Sequence, residues 1–224
     1  MASLRSEHLP TEVPRHRWRL LGWGLVVALV VGAGVTGLWW RPWQSVALPK
    51  SACWGELGPA DYGALAGDDG AAKAADRGSI DGPVATGVVL ANCRLMWSGG
   101  HRANMLTVAV GSADDSDGTE DPRLLGSTLQ AVDFGPDAKG WIARGAGGPL
   151  AVQFACGYRS GGGAKASPYL RIVVSGDDLG DTSTAQVRSA YAGIALKVAK
   201  AVAHRLPCGN EPRLPAQPGF VPPG

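Results

Sequence analysis

The chain has 224 residues, room for one domain with attachments, and its 21 Lys and Arg against 19 Asp and Glu leave a net charge of +2, far from the basic excess a nucleic-acid binder needs to neutralise phosphates. Thirty-three Gly and 16 Pro fall short of wholesale disorder and predict long loops instead. Eight Trp stand against three Phe, and Trp18, Trp23, Trp39, Trp40 and Trp43 crowd one short stretch.

Residues 1–19 read as a short basic cytoplasmic tail, with Arg5, Arg15, Arg17 and Arg19. Residues 20–40 (LLGWGLVVALVVGAGVTGLWW) carry no charge. As a helix rising about 1.5 Å per residue they extend roughly 31 Å, the thickness of a bilayer core. Trp18 and Trp23 stand at one end of this span and Trp39, Trp40 and Trp43 at the other, where indole rings favour the interface, and the Arg excess before it predicts an N-terminus inside and the rest outside. Cleavage near Ser45-Val46-Ala47 is the competitor, weakened by a run longer than the usual signal-peptide core and ending in Trp. Gly24, Ala28, Gly32 and Thr36 recur every fourth position, a small-residue row that would let a second copy pack as a homodimer.

Residues 41–52 read as a linker and 53–208 as an extracytoplasmic domain. From position 48 onward 16 basic residues face 17 acidic ones, so overall charge points to no polyanionic partner. Cys53, Cys93, Cys156 and Cys208 are even in number and lack CxxC spacing, which in an oxidising compartment predicts two disulfides rather than a zinc site.

Within the domain, residues 54–67 read as a short helix starting near Pro59 and stopping at Gly67. Residues 68–83, Gly, Ala and Asp with little to bury, read as loop. Val89, Ala91, Cys93, Leu95 and Trp97 alternate with polar positions as a half-buried strand, Ser98-Gly99-Gly100 turns it, and Leu106, Val108 and Val110 form its antiparallel neighbour. Residues 111–122 read as an acidic loop and 140–144 as a short strand. A clearer hairpin follows in Leu150, Val152, Phe154 and Cys156 with Leu170, Ile172 and Val174. Ser183 and Gln186 suggest a capping box for an amphipathic helix carrying Val187, Tyr191, Ile194, Val198 and Val202 and ended by Pro207. Residues 209–224, with Pro212, Pro215, Pro218, Pro222 and Pro223, read as a disordered polyproline-like tail whose deletion should leave the thermal midpoint unchanged.

Helix, hairpins and helix in that order predict an α+β fold, an antiparallel sheet with helices packed on one face, preceded by a single transmembrane helix. Cys93 and Cys156 share the inward parity of their strands, while Cys53 precedes the first helix and Cys208 follows the last. Pinning each helix end to the sheet pairs Cys53 with Cys93 and Cys156 with Cys208; the rival joins Cys93 to Cys156 across strands and Cys53 to Cys208.

Pro49-x-x-x-Cys53-Trp54-Gly55-x-Leu57, the Cys93-Arg-Leu strand, the Gly140-Trp141 turn, Phe154-Ala-Cys156 and an Ala-rich helix closing on Cys208 form a pattern. It resembles a group of uncharacterised membrane-anchored extracytoplasmic proteins of streptomycetes and related actinobacteria. The resemblance implies an envelope setting and disulfides, and carries over no activity, cofactor or catalytic residue.

The sequence holds no catalytic constellation. His101 lies in a Gly-Gly turn, His204 in the last turn of the final helix, and there is no GxSxG, Walker or dinucleotide motif. Asp114, Asp115, Asp117 and Glu120 are weak metal candidates, because aligning Gly118 on an EF-hand loop puts Ala113 and Leu124 where ligands are required. The leading expectation is a non-enzymatic, membrane-tethered module that binds an unknown envelope protein or ligand, with the lipid bilayer as a partner, no nucleic acid and no cofactor. The alternative is an envelope enzyme with a site assembled from scattered residues such as His101, Asp114 and Asp117.

Overall fold

The computed structural model describes residues 47–66, 71–81, 90–99, 102–113, 128–143, 148–157, 168–176 and 184–220. The expected span at 20–40, its flanking Trp and its small-residue row lie outside these, as do His101, Ser183 and the acidic run from Asp114 to Asp121. No helix among the described residues is long and apolar enough to cross a membrane. The chain divides into two compact units, 1–44 and 45–224, and every described element belongs to the second.

That unit is α+β. Helix α1 (Pro59–Tyr62) continues into a 3-10 turn at Gly63–Leu65. Strands β1 (Ala71–Arg77), β2 (Leu90–Gly99), β3 (Arg102–Ala113), β4 (Leu129–Asp133), β5 (Ala138–Ala143), β6 (Leu150–Ala155) and β7 (Tyr169–Gly176) precede helix α2 (Thr184–Arg205) and a two-residue β8 (Gly219–Phe220). The strands form one antiparallel sheet in the order β1-β2-β3-β7-β6-β5-β4-β8. Two meanders, β1-β2-β3 and β4-β5-β6-β7, meet along the β3–β7 pairing, which aligns Leu106 with Gly176 and Ala113 with Tyr169.

Period-two patterning decides which face is covered. Ala91, Cys93, Leu95 and Trp97 of β2, Leu106, Val108 and Val110 of β3, Leu150, Val152 and Phe154 of β6, and Leu170, Ile172 and Val174 of β7 are all buried in one core. Val187, Tyr191, Ile194, Ala195, Val198 and Val202 of α2 close over it, with Tyr62 and Leu65 alongside. The opposite face holds a small cluster, Ala143, Ala151 and Val173 with Leu129 and Trp141 packed against them.

Four expectations change. The helix expected over 54–67 is shorter, because Cys53, Trp54 and Gly55 take the left-handed conformation (φ 51°, 60° and 86°) and Pro59 opens the helix only after that turn. Residues 71–77, expected as loop, are the edge strand β1: with one neighbouring strand it needs little side-chain burial, and its backbone supplies the ladder to β2. The linker does not extend to residue 52: Ala47 bridges Ala71, Ala52 pairs with Leu57 and is buried, and Leu48 packs on the core.

The fourth change concerns the tail expected to be disordered. Residues 209–220 run along the domain, with Gly209 N–H donating to the Gly157 carbonyl at 3.2 Å, Leu214 packed on the core and Phe220 paired with Val132. Proline removes donors but leaves extended backbone, and here the Asn210 side-chain amide donates to the Ala155 carbonyl at 2.9 Å and the Arg213 N–H to the Asp137 carboxylate at 2.8 Å. Residues 221–224 lie outside the described set.

Candidate functional site

The disulfides frame the domain. Cys53 is bonded to Cys93 (Cα–Cα 5.1 Å), tying the left-handed turn before α1 to the middle of β2. Cys156 is bonded to Cys208 (Cα–Cα 4.7 Å), tying the end of β6 to the chain leaving α2. Both bridges thus join a helix end to the helix-covered face of the sheet, and all four sulfurs are engaged. The carboxylate of Asp76 approaches Cys53 and Cys93, but it accepts the Trp54 N–H at 2.8 Å while the Trp54 indole donates to the Gly78 carbonyl at 3.2 Å. This is a turn lock, without a free thiolate to hold a metal.

The helix side gathers ion pairs. Arg205 contacts Glu56 and, at 2.8 Å, Asp81; Lys197 contacts Asp61 at 2.6 Å. Asp61 also accepts the Gly58 N–H at 2.7 Å, capping α1. The buried Tyr62 hydroxyl donates to the Pro49 carbonyl, and desolvation, with Asp61 beside it, pushes its pKa upward, so the phenol stays a neutral donor. His204 is exposed in the last turn of α2, as its sequence position implied. It borders a cavity of about 460 Å³ that Lys200, Asn210 and Glu211 also line. The sulfur at this cavity, that of Cys208, is locked in its disulfide and offers no nucleophile.

The other face of the sheet is different in chemistry. Cys93, Leu95 and Trp97 point to the helices, so Asn92, Arg94 and Met96 point away, and the register places Arg77 opposite Asn92, Ala75 opposite Arg94 and Lys73 opposite Met96 on that same face. Lys73, Arg77, Arg94 and Met96 are exposed, Met96 to 46%. No carboxylate among the described residues lies within ion-pair distance of these three cations, whereas Glu56, Asp61, Asp81 and Asp137 all pair with cations elsewhere. Further along the face the Arg171 guanidinium donates to Gln153 at 2.9 Å, and Gln153, Ala151 and Val173 are buried. Polar exposure on this face is therefore strongest at β1 and β2.

Sequence reasoning missed this group. Arg94 sits in a recognisable strand, but Lys73 and Arg77 join it only through β1, which hydrophobic alternation does not mark. The available signal was the spacing Lys73-x-x-x-Arg77, which in a strand puts both cations on one face. No known protein family, curated protein or solved structure matches the chain.

Proposed function

We propose that the chain is a single-pass, membrane-tethered extracytoplasmic protein of the cell envelope, whose α+β domain is a non-catalytic binding module. The observation that carries the reading is the pair of disulfides, Cys53–Cys93 and Cys156–Cys208. Such bridges persist in oxidising compartments and are rare in the cytosol. The uncharged span of residues 20–40, with Arg before it and Trp at both ends, supplies the tether and the orientation. The resemblance to membrane-anchored actinobacterial proteins supports the same setting.

The test is a topology measurement. A reporter fused before residue 1 is expected to be protected from protease on intact protoplasts, and one fused after residue 224 is expected to be digested. Alkaline carbonate is expected to leave the full chain in the membrane pellet. An accessible N-terminal reporter, a mature chain free in the medium, or thiols that react with maleimide without reduction each defeat the proposal.

A further inference from the structure

The cations on the open face of β1 and β2 form a compact group. Lys73, Arg94 and Arg77 occupy three successive cross-strand pairs on one face, so they fall within about 13 Å along the strands. Met96, opposite Lys73, and Met105, opposite Met96 on β3, add an apolar patch at the Lys73 end of this row. β1 is the sheet edge. Cations that pair with no carboxylate among the described residues, beside an exposed thioether, are suited to a surface that offers phosphates with hydrocarbon just beneath: the long basic side chains reach the charges and methionine enters the interface.

Chain connectivity indicates which surface. The Ala47 carbonyl accepts the Ala72 N–H at 2.9 Å, so the start of the domain is fastened to β1 itself. Trp43, the last interfacial aromatic after the proposed span, lies four positions earlier, at most about 14 Å of extended chain. A tethered domain cannot carry this edge far from its own bilayer.

We propose that Lys73, Arg77, Arg94 and Met96 dock the domain on the anionic phospholipid headgroups of the membrane that anchors it, a proposal that deepens the tethered reading and rests on it for the membrane's identity. The near-neutral overall charge does not oppose this, since among the described residues Glu56, Asp61, Asp81 and Asp137 pair with Lys197, Arg205 and Arg213 and not with these cations. Three cations near an anionic surface strengthen partitioning on the order of a hundredfold. Exposed side chains of this kind act through charge, so the contact weakens as salt rises.

The experiment uses residues 45–224, a compact unit that contains both disulfides and the core, in vesicle flotation. Phosphatidylcholine vesicles are compared with vesicles containing about 30% phosphatidylglycerol, at low and at roughly physiological salt. The oxidised domain is expected to float with the anionic vesicles and not with the neutral ones, and to be released by salt. K73E/R77E/R94E is expected to abolish flotation with an unchanged circular dichroism spectrum; M96S is expected to weaken it while keeping its salt dependence. K50E/K200E, reversed at exposed positions away from this face, is expected to float like the parent. Absence of flotation with anionic vesicles, equal flotation of the triple variant, or retention on a soluble polyanion such as dextran sulfate without flotation overturns the proposal. Carbonate extraction of the full chain reports the tether separately, so loss of one reading is not mistaken for loss of the other.

Discussion

Asp137, in the turn between β4 and β5, holds Arg213 by backbone and side chain together: its carboxylate accepts the Arg213 main-chain N–H at 2.8 Å and the guanidinium at 2.9 and 3.2 Å. The tail passes so close that a Cβ on Gly135 would stand 2.8 Å from the Arg213 carbonyl, and Gly135 itself takes φ 94°. Such a close approach marks a docked segment, not a loose one. Deleting residues 209–224 is therefore expected to lower the thermal midpoint by about 3–8 °C, from the loss of Leu214 packing and the tail's backbone pairing. Calorimetry of the shortened domain measures it, and an unchanged midpoint would return the tail to the disordered class.

The same pair sets a pH dependence. Hydrogen bonds from the Arg213 side chain and backbone hold the Asp137 carboxyl below the usual carboxylate range. A carboxyl depressed in the folded state contributes stability that is fully present above its unfolded value, about 3.9, and is lost as pH falls through the folded one. The difference in urea midpoint between the parent and Asp137→Asn is expected to be constant from neutral pH to about pH 5 and to close progressively below about pH 4. A difference that persists at pH 2 would assign Asp137 a role other than its charge.

Gly193 lies in the exposed middle of α2, and a Cβ there would meet nothing within 4 Å. Gly193→Ala is expected to stabilise the domain by about 0.5–1 kcal/mol, because alanine loses less backbone entropy on entering the helix. Gly140 is the contrasting case. The ring of Phe134 and the Val132 carbonyl occupy the space its Cβ would need, so Gly140→Ala is expected to cost about 1–3 kcal/mol through overpacking. Denaturant unfolding of the two variants side by side reads both signs.

Strands whose side chains fill the core were legible: β2, β3, β6 and β7 send every second residue into the main core, and that alternation is written in Cys93, Leu95 and Trp97 or Leu150, Val152 and Phe154. The same parity placed Cys93 and Cys156 on the helix side. β1 was not legible, because Ala71 to Arg77 is exposed almost throughout and its strand state comes from backbone pairing with β2, a tertiary fact. The tail escaped for a similar reason. Its prolines declare extended backbone, but only the fold brings Asp137 to meet Arg213 across 76 positions. The basic face combines both obstacles, since it exists only once the β1–β2 register is known.

Each disulfide is expected to contribute about 2–5 kcal/mol. Cys53→Ser/Cys93→Ser and Cys156→Ser/Cys208→Ser are expected to lower the urea midpoint separately. Peptide mapping without reduction is expected to yield linked fragments for these two pairs and none containing Cys93 together with Cys156.

The bridges close residues 53–93 and 156–208, two rings that neither overlap nor nest, and neither crosses the β3–β7 seam. The oxidised unfolded chain is thus two rings on one open thread, each ring local to its own meander. Correct oxidation needs only neighbours within a half to find each other, so it can precede the long-range pairing of Leu106 with Gly176. On the proposed extracytoplasmic topology, the emerging chain could therefore secure its first ring before the second half has been translocated.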